Sequence, residues 1–250
     1  MRRLLVIGAS VLLLAAIIAA IGIGLLAIYA DKNIDYDTDE KLFEYAKGSS
    51  TATFYAYEPS GELVEYYKGN LGVQKTWYSI EEMPESIKLA FLAIEDRHFY
   101  THNGIDVKRT IAALVNTITG EKPIFGASTI TQQVIKNISG DDEQTFKRKL
   151  NEILRALHLE MTYSKEEILE MYLNIVPMTR TIYGVGEAAY QYFGKEPQYL
   201  TLAESATIAG ITNSPVKYNP YTNGENCIER RDLILKRMLD ERFKIGRAHV

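Results

Sequence analysis

Ala-Ile-Glu-Asp-Arg-His-Phe-Tyr-Thr-His-Asn-Gly-Ile-Asp, residues 93 to 106 of a 250-residue chain, places two acids directly behind an apolar helical run. The run is Ile87, Leu89, Ala90, Leu92, Ala93 and Ile94, and its spacing predicts a helix that ends at Glu95 and Asp96. Carboxylates at the end of an apolar helix can sit half desolvated at a cleft, which raises a pKa toward general acid or base duty. Acid pairs at helix ends are also common as plain solvated caps, so the pair alone leaves both roles open. An aromatic residue, a histidine and a turn glycine, Phe99, His102 and Gly104, follow within ten residues.

Outward from this stretch, the rest of the chain supplies an anchor and a core. From Leu4 to Ala30 there is no charged residue, enough at ~1.5 Å per residue to cross the ~30 Å hydrocarbon layer. A cleavable signal would have an apolar region of about 7 to 15 residues, so an uncleaved anchor is expected. Arg2 and Arg3 precede it, which predicts a cytoplasmic N-terminus in a cell membrane and a single pass, with everything after Ala30 outside the cytoplasm. With Arg2 and Arg3 set aside, the part after Ala30 carries 26 basic residues against 32 acidic ones, a balance of −6 that argues against a nucleic-acid partner. Cys227 is the only cysteine, so no intrachain disulfide is available, and it reads as a small apolar filler rather than a catalytic thiol.

Residues 1–30 are therefore expected to be a cytoplasmic tip and transmembrane anchor, 31–50 a linker in the form of a short polar stalk, and 51–244 one domain. The six C-terminal residues, Ile-Gly-Arg-Ala-His-Val, look like translated adapter read-through, and the natural protein is expected to continue past about Lys244. Two β-prone runs around Pro59-Ser60-Gly61 predict a hairpin. From Ile80 onward helices are expected after Met83-Pro84, over 106–118, over 128–138 with Ser128 as N-cap, over 145–163, from Ser164 to about Asn174, from Thr201, and over 226–241, with a break at 120–123. Phe146, Leu150, Ile153, Leu154, Leu157 and Met161 form the expected apolar stripe of one of these; Ile228, Leu235, Met238 and Leu239 form that of the last.

Four further blocks carry chemistry. Gly126-Ala-Ser-Thr-Ile-Thr-Gln-Gln-Val-Ile-Lys-Asn137 puts hydroxyls at a helix start and a cation two turns on, a combination suited to a phosphate-bearing ligand. Arg148 and Glu152 are four apart and share a helix face, either as a surface ion pair or as cleft groups. Lys165 to Asn174 reads as mainly structural, through Ile168, Leu169, Tyr172 and Leu173. Tyr183-Gly-Val-Gly-Glu-Ala-Ala-Tyr-Gln-Tyr-Phe-Gly-Lys195 is the last.

In this order the five blocks resemble the motifs of the peptidoglycan glycosyltransferases, glycosyltransferase family 51, found in class A penicillin-binding proteins and monofunctional transglycosylases. The first is Glu95-Asp-x-x-Phe-x-x-His-x-Gly104, and the resemblance runs from about Thr51 to Leu239. It departs at Met178-Thr-Arg-Thr181, where aromatic-Gly-x-Gly is the pattern, and at Gly186, which holds the usual Glu position. The resemblance implies a mainly α fold: a bilobal, lysozyme-like helical domain with a small β-hairpin, behind the N-terminal transmembrane helix. It implies polymerisation of lipid II into β-1,4-linked glycan strands with release of undecaprenyl pyrophosphate, in cell-wall synthesis. By match, Glu95 is the general base, supported by Asp96, and Glu152 the second essential acid. Lys136 and Arg148 meet the pyrophosphate, while Ser128, Thr129, Gln132, Gln133 and Asn137 line the donor cleft. Phe99, His102 and Gly104 shape the first motif. Its implied partners are lipid II, the growing strand, the bacterial membrane and other cell-wall synthesis proteins. No cofactor is required, and magnesium or manganese is an optional aid.

A glycan-cleaving enzyme on the same scaffold is the alternative, since an acid pair also suits glycoside hydrolysis. Lys136 and Arg148 argue against it, because a neutral leaving group has little need of cations. An inactive membrane-anchored scaffold is the other alternative. His98 and His102 lack a third metal ligand at metalloprotease spacing, and Ser214-Pro-Val-Lys217 lacks the companion motifs of an acyl-transfer site.

Overall fold

The computed structural model describes residues 2–47, 51–57, 63–70, 76–119, 128–140, 143, 145–179 and 181–241. Helix α1 (Arg2–Asn33) is the one helix among the described residues that is long and apolar enough to cross a membrane. Leu13, Leu14, Ile17, Ile18, Ile21, Leu25 and Ile28 all stand exposed on it, as a lipid-facing surface would.

Residues 31–50, expected as a stalk, contain helix α2 (Tyr36–Lys47) instead. The reason is Phe43, which is 1% exposed, sits in the hydrophobic core and meets Tyr163 edge-on at 5.9 Å. The hairpin follows as strands β1 (Thr51–Tyr57) and β2 (Leu63–Asn70), antiparallel with Thr51 opposite Asn70 and an irregularity between Phe54 and Tyr55. Its turn, the break expected at 120–123 and the six C-terminal residues lie outside the described residues.

The body comprises α3 (Glu85–Glu95), α4 (Val107–Thr119), α5 (Ile130–Ser139), α6 (Phe146–Thr162), α7 (Lys165–Ile175), α8 (Gly184–Phe193), α9 (Leu202–Ile211) and α10 (Gly224–Asp240). Helices α3, α9 and α10 pack as one group; α5, α6 and α7 form a second, with α2 on α5 and α8 reaching from α7 to α9. Phe91 of α3 against Tyr172 of α7, T-shaped at 5.7 Å, ties the groups together. The mainly α class with an N-terminal apolar helix is as expected.

Capping boxes start α7 at Ser164 and α9 at Thr201, each with its Glu three residues on. At α5 the cap is Thr129 with Gln132, not Ser128 as the sequence suggested. Thr129 wins because its hydroxyl also donates to the Gly104 carbonyl at 2.6 Å, a long-range bond that Ser128 does not make. Two apolar stripes differ from the expected ones, that of α6 at both ends and that of α10 in part. On α6, Phe146 and Met161 are each 85% exposed, while Glu152, Ala156 and Leu159 face inward. The inward face begins polar because it borders a cleft, so apolar periodicity alone points the wrong way. On α10 the expected stripe holds in part: Met238 is buried and Leu235 packs against the core, while Ile228 and Leu239 are exposed and Cys227 and Ile234 are buried instead.

Between α7 and α8 the chain doubles back. Pro177 bridges Tyr183, and the Gly184 N–H donates to Val176 O at 2.8 Å. Met178 is fully buried here, an apolar filler where the resemblance has an aromatic. Gly184 has φ +78°, and a Cβ there would lie 2.3 Å from the Asn174 carbonyl oxygen. Gly194 also has positive φ, +65°, but open space around it. Gly194→Ala should therefore lose only the backbone term, about 1–2 kcal/mol or roughly 2–8 °C in Tm. Gly184→Ala should lower Tm by clearly more in a thermal melt, and equal shifts would refute the close approach.

Candidate active site

The carboxylate of Asp96 is 1% exposed at the end of α3. Its Oδ2 accepts from the Ile130 N–H at the start of α5 (3.0 Å) and lies 2.8 Å from His102 Nε2, which therefore carries a proton. Arg109 of α4 stands 3.5 Å from Oδ1 and reaches the Glu95 backbone carbonyl at 3.4 Å. An anion at a helix N-terminus is favoured by the orphan N–H groups and the dipole. Asp96 thus welds the end of α3 to the start of α5.

That weld puts Glu95 beside α5. Gln133 Nε2 donates to Glu95 Oε2 at 3.0 Å, and the Tyr172 hydroxyl donates to Gln133 Oε1 at 3.3 Å. Burial, and then the charges of Glu95 and Asp96, push the Tyr172 phenol well above its ordinary pKa, so it stays a donor. The donor fixes which way the Gln133 amide points, and so presents its N–H₂ to Glu95. The fourth block, read as structural, therefore reaches the acid through one side chain.

On α6, Glu152 is 5% exposed, gripped by Arg148 at 2.6 Å and by Lys149, which also donates to Ser128 Oγ at 3.1 Å. The Arg148–Glu152 pair is thus partly buried rather than a loose surface contact.

A cleft of about 300 Å³ is lined by Glu95, Ser128, Gln132, Gln133, Lys136, Asn137, Glu152, Val176, Pro177, Thr212 and Asn213. Of the residues singled out from sequence, Glu95, Glu152, Ser128, Gln132, Gln133, Lys136 and Asn137 meet on this wall. Asp96, Arg148 and Thr129 stand behind it: Asp96 holds α5, Arg148 holds Glu152, and Thr129 is the buried cap. Thr129 is thereby corrected from a lining residue to a cap. Phe99 is buried under the Lys165 ammonium at 4.4 Å, and the Gly104 backbone lies so close to Ala156 that a Cβ would be 2.7 Å from its carbonyl oxygen. Lys149, Arg109, Thr212 and Asn213 were missed. Lys149 sat in plain view beside Arg148, whereas Thr212 and Asn213 come from the turn after α9, 117 residues beyond Glu95, which no local pattern connects.

His98 pairs with Asp106 at 2.9 Å and His102 with Asp96, so the two histidines serve different carboxylates. Burial alone would raise Asp106, but hydrogen bonds from His98 and the Arg109 N–H, with both their charges, hold its pKa below the usual range. Among the described residues no three His, Cys, Asp or Glu side chains gather to hold a metal. Burial pushes the Cys227 thiol up, as suits a core filler. Gly186 lies under the Tyr78 ring, where a Cβ would be 2.3 Å from Cε2, which excludes a Glu at that position unless Tyr78 moves.

The family model described as transglycosylase matches residues 61–239. The chain belongs to the transglycosylase family. Similar relatives include penicillin-binding protein 1A of Aquifex aeolicus (strain VF5), 38% identical over 230 residues, which cover 91% of this chain and 30% of that protein. Another is penicillin-binding protein 1A/1B of Bacillus subtilis (strain 168), 41% identical over 189 residues, 75% of this chain and 20% of that one. This transglycosylase chain thus spans less than a third of the length of either relative. The crystal structure of penicillin-binding protein 1A from Haemophilus influenzae is similar at 25% identity over 79% of this chain and 20% of that chain, with a TM-score of 0.39, too low to argue the fold from.

Tyr172→Phe removes the donor that orients Gln133 while keeping the ring. The expected cost is about 0.5–1.5 kcal/mol of stability, roughly 1–6 °C in Tm, together with a fall in transglycosylase turnover measured well below that Tm. Full turnover in a folded Tyr172→Phe protein would show that the Gln133 amide needs no such support.

Proposed function

We propose that this chain carries the peptidoglycan glycosyltransferase domain of a penicillin-binding protein, built on residues 51–244 together with α2, which packs into its core, behind a transmembrane anchor. It polymerises lipid II into β-1,4-linked glycan at the outer face of the cell membrane, with the N-terminus in the cytoplasm. The observation that carries this reading is one cleft wall holding an acid, Glu95, and a cation, Lys136, with Glu152 between two more cations. An acid alone would suit hydrolysis; an acid facing cations suits a reaction whose leaving group is an anion.

The chemistry follows from these groups. Glu95 takes the proton of the acceptor sugar's 4-hydroxyl as that oxygen bonds to C1 of the donor. The bond from C1 to the pyrophosphate breaks on the opposite face, which inverts C1. Two or more negative charges then gather on the departing pyrophosphate, where Lys136 on the cleft wall meets them and the Arg148–Lys149 pair adds positive charge from behind Glu152. Ser128, Gln133 and Asn137 supply neutral hydrogen-bond partners along the donor. Glu152 keeps the two α6 cations in place rather than attacking. A divalent ion, where one takes part, arrives with the pyrophosphate, since the cleft's two carboxylates are engaged by Gln133 and by Arg148 and Lys149. Undecaprenyl-linked substrates explain why an anchor belongs on the same chain, and other wall-building proteins are its natural neighbours.

Polymerisation of labelled lipid II tests the assignment. Glu95→Gln preserves size and hydrogen bonding but cannot take the proton, so the rate should fall about 10²–10⁴-fold. Breakdown of preformed glycan by the parent protein would favour the hydrolase instead, and a folded parent without either activity would favour an inactive scaffold.

A further inference from the structure

Three aromatic residues at seven-residue spacing, Tyr29, Tyr36 and Phe43, connect the anchor to the body. The Tyr29 hydroxyl donates to Asn151 Oδ1 at 2.9 Å. Tyr36 stacks on His158 with ring centroids 4.0 Å apart. Phe43 meets Tyr163, the residue that ends α6. Position by position, 29, 36 and 43 pair with 151, 158 and 163, so the strap and α6 run in the same direction. The N-terminus of α6 therefore points toward the anchor. Tyr36 also lies against Arg155, whose guanidinium is half buried. Only Ile34 and Asp35 separate α1 from α2, and the Ile34 N–H still donates to Ala30 O at 2.9 Å, which leaves little slack between anchor and strap.

Tyr29 is the penultimate residue of the charge-free run, and a tyrosine at the end of a membrane helix settles at the headgroup level. Asn151 is bonded to it. Glu152 is one residue further along α6 and Arg148 three residues back, so their backbones lie within about 5 Å of Asn151 along the helix axis. Phe146, 85% exposed, sits one turn beyond on the anchor side, where an apolar ring can enter the acyl boundary. From these contacts the geometry points to Tyr29, Tyr36 and Phe43 as positioning residues: a strap that registers α6, and with it Arg148, Lys149 and Glu152, to the phosphate plane of the bilayer. Asn151, His158 and Tyr163 are its seat. The anchor is then part of the active-site scaffold and not only a tether. This rests on the reading of α1 as a membrane anchor and of the α6 cations as the pyrophosphate's partners, because a lipid-linked pyrophosphate lies at that plane.

The test uses the full chain in vesicles of phosphatidylethanolamine with phosphatidylglycerol. A nitroxide is attached at Lys147→Cys in a Cys227→Ser background, and its depth is read by power-saturation paramagnetic resonance. The label should lie within about 6 Å of the phosphate plane. Inserting Gly-Ser after Ile34 keeps Tyr36 and Phe43 docked but takes Tyr29 out of register; it should move the label by about 3 Å. The same insertion should cut lipid II polymerisation in vesicles by about 10- to 100-fold and leave it near the parent's in detergent, where no bilayer sets a height. Tyr29→Phe, which removes only the hydroxyl, should shift both readings in the same direction by less. An unmoved label in both variants, or a parent label far out in the water, overturns the strap. A chain that fails to float with the vesicles removes the anchor reading and the strap together. A label at the expected depth that shifts with the insertion, in a parent that makes no polymer, supports the strap and counts against the proposed reaction instead.

Discussion

One buried carboxylate organises the cleft. Asp96 has given up water for a helix N-terminus, a histidine and a nearby guanidinium, and a charge so placed is expensive unless every partner stays where it is. Its partners come from three separate segments: α5, the turn after α3, and α4. Through that single group the end of α3 can sit in only one way on α5, and Glu95 and Gln133 follow from it. The rest of the cleft wall is added by α6, whose Glu152 is in turn held by two cations.

The site layers its polar groups. Glu95 and Lys136 face the open cleft, Gln133 links Glu95 to a fully buried tyrosine, and Asp96 and Thr129 lie wholly inside. Hydrogen bonds in such a setting fix orientation because the alternative is an unpaired buried donor or acceptor. Tyr172 shows the economy of this: one phenol packs against Phe91 across the two helix groups and also aims an amide at the acid. Packing and chemistry therefore share residues, and a motif that reads as core can still bear on the reaction.

What the sequence made legible was local. The capping boxes at Ser164 and Thr201, the long apolar run, the hairpin and the helix leading to Glu95 all follow from short-range rules. Most of the cleft residues were found because the first three blocks resemble the family's motifs residue by residue; their spacing alone left the plain structural roles open. The failures have a common physical cause, which is contact between distant segments. Ser128 and Thr129 are equally good caps by type; the Gly104 carbonyl decides between them. The α6 stripe misled because its inward face opens on a cleft and so begins with Arg148 and Glu152, while Phe146 and Met161 face outward. Within the expected stalk, Tyr36–Lys47 is helical because Phe43 has a core to enter, and Thr212 and Asn213 join the wall only after α9 has packed on α3.

The central claim is that acid and cations in this cleft serve one reaction with separate tasks, the acid taking a proton from the acceptor and the cations holding the donor's pyrophosphate. The most direct measurement is phosphorus NMR of a slowly reacting lipid-linked disaccharide pyrophosphate analogue, titrated with the parent, Glu95→Gln and Lys136→Met proteins. The account predicts that the pyrophosphate resonances shift with the parent and with Glu95→Gln alike, and that Lys136→Met weakens or abolishes the shift. Loss of the shift in Glu95→Gln with full binding by Lys136→Met would contradict it.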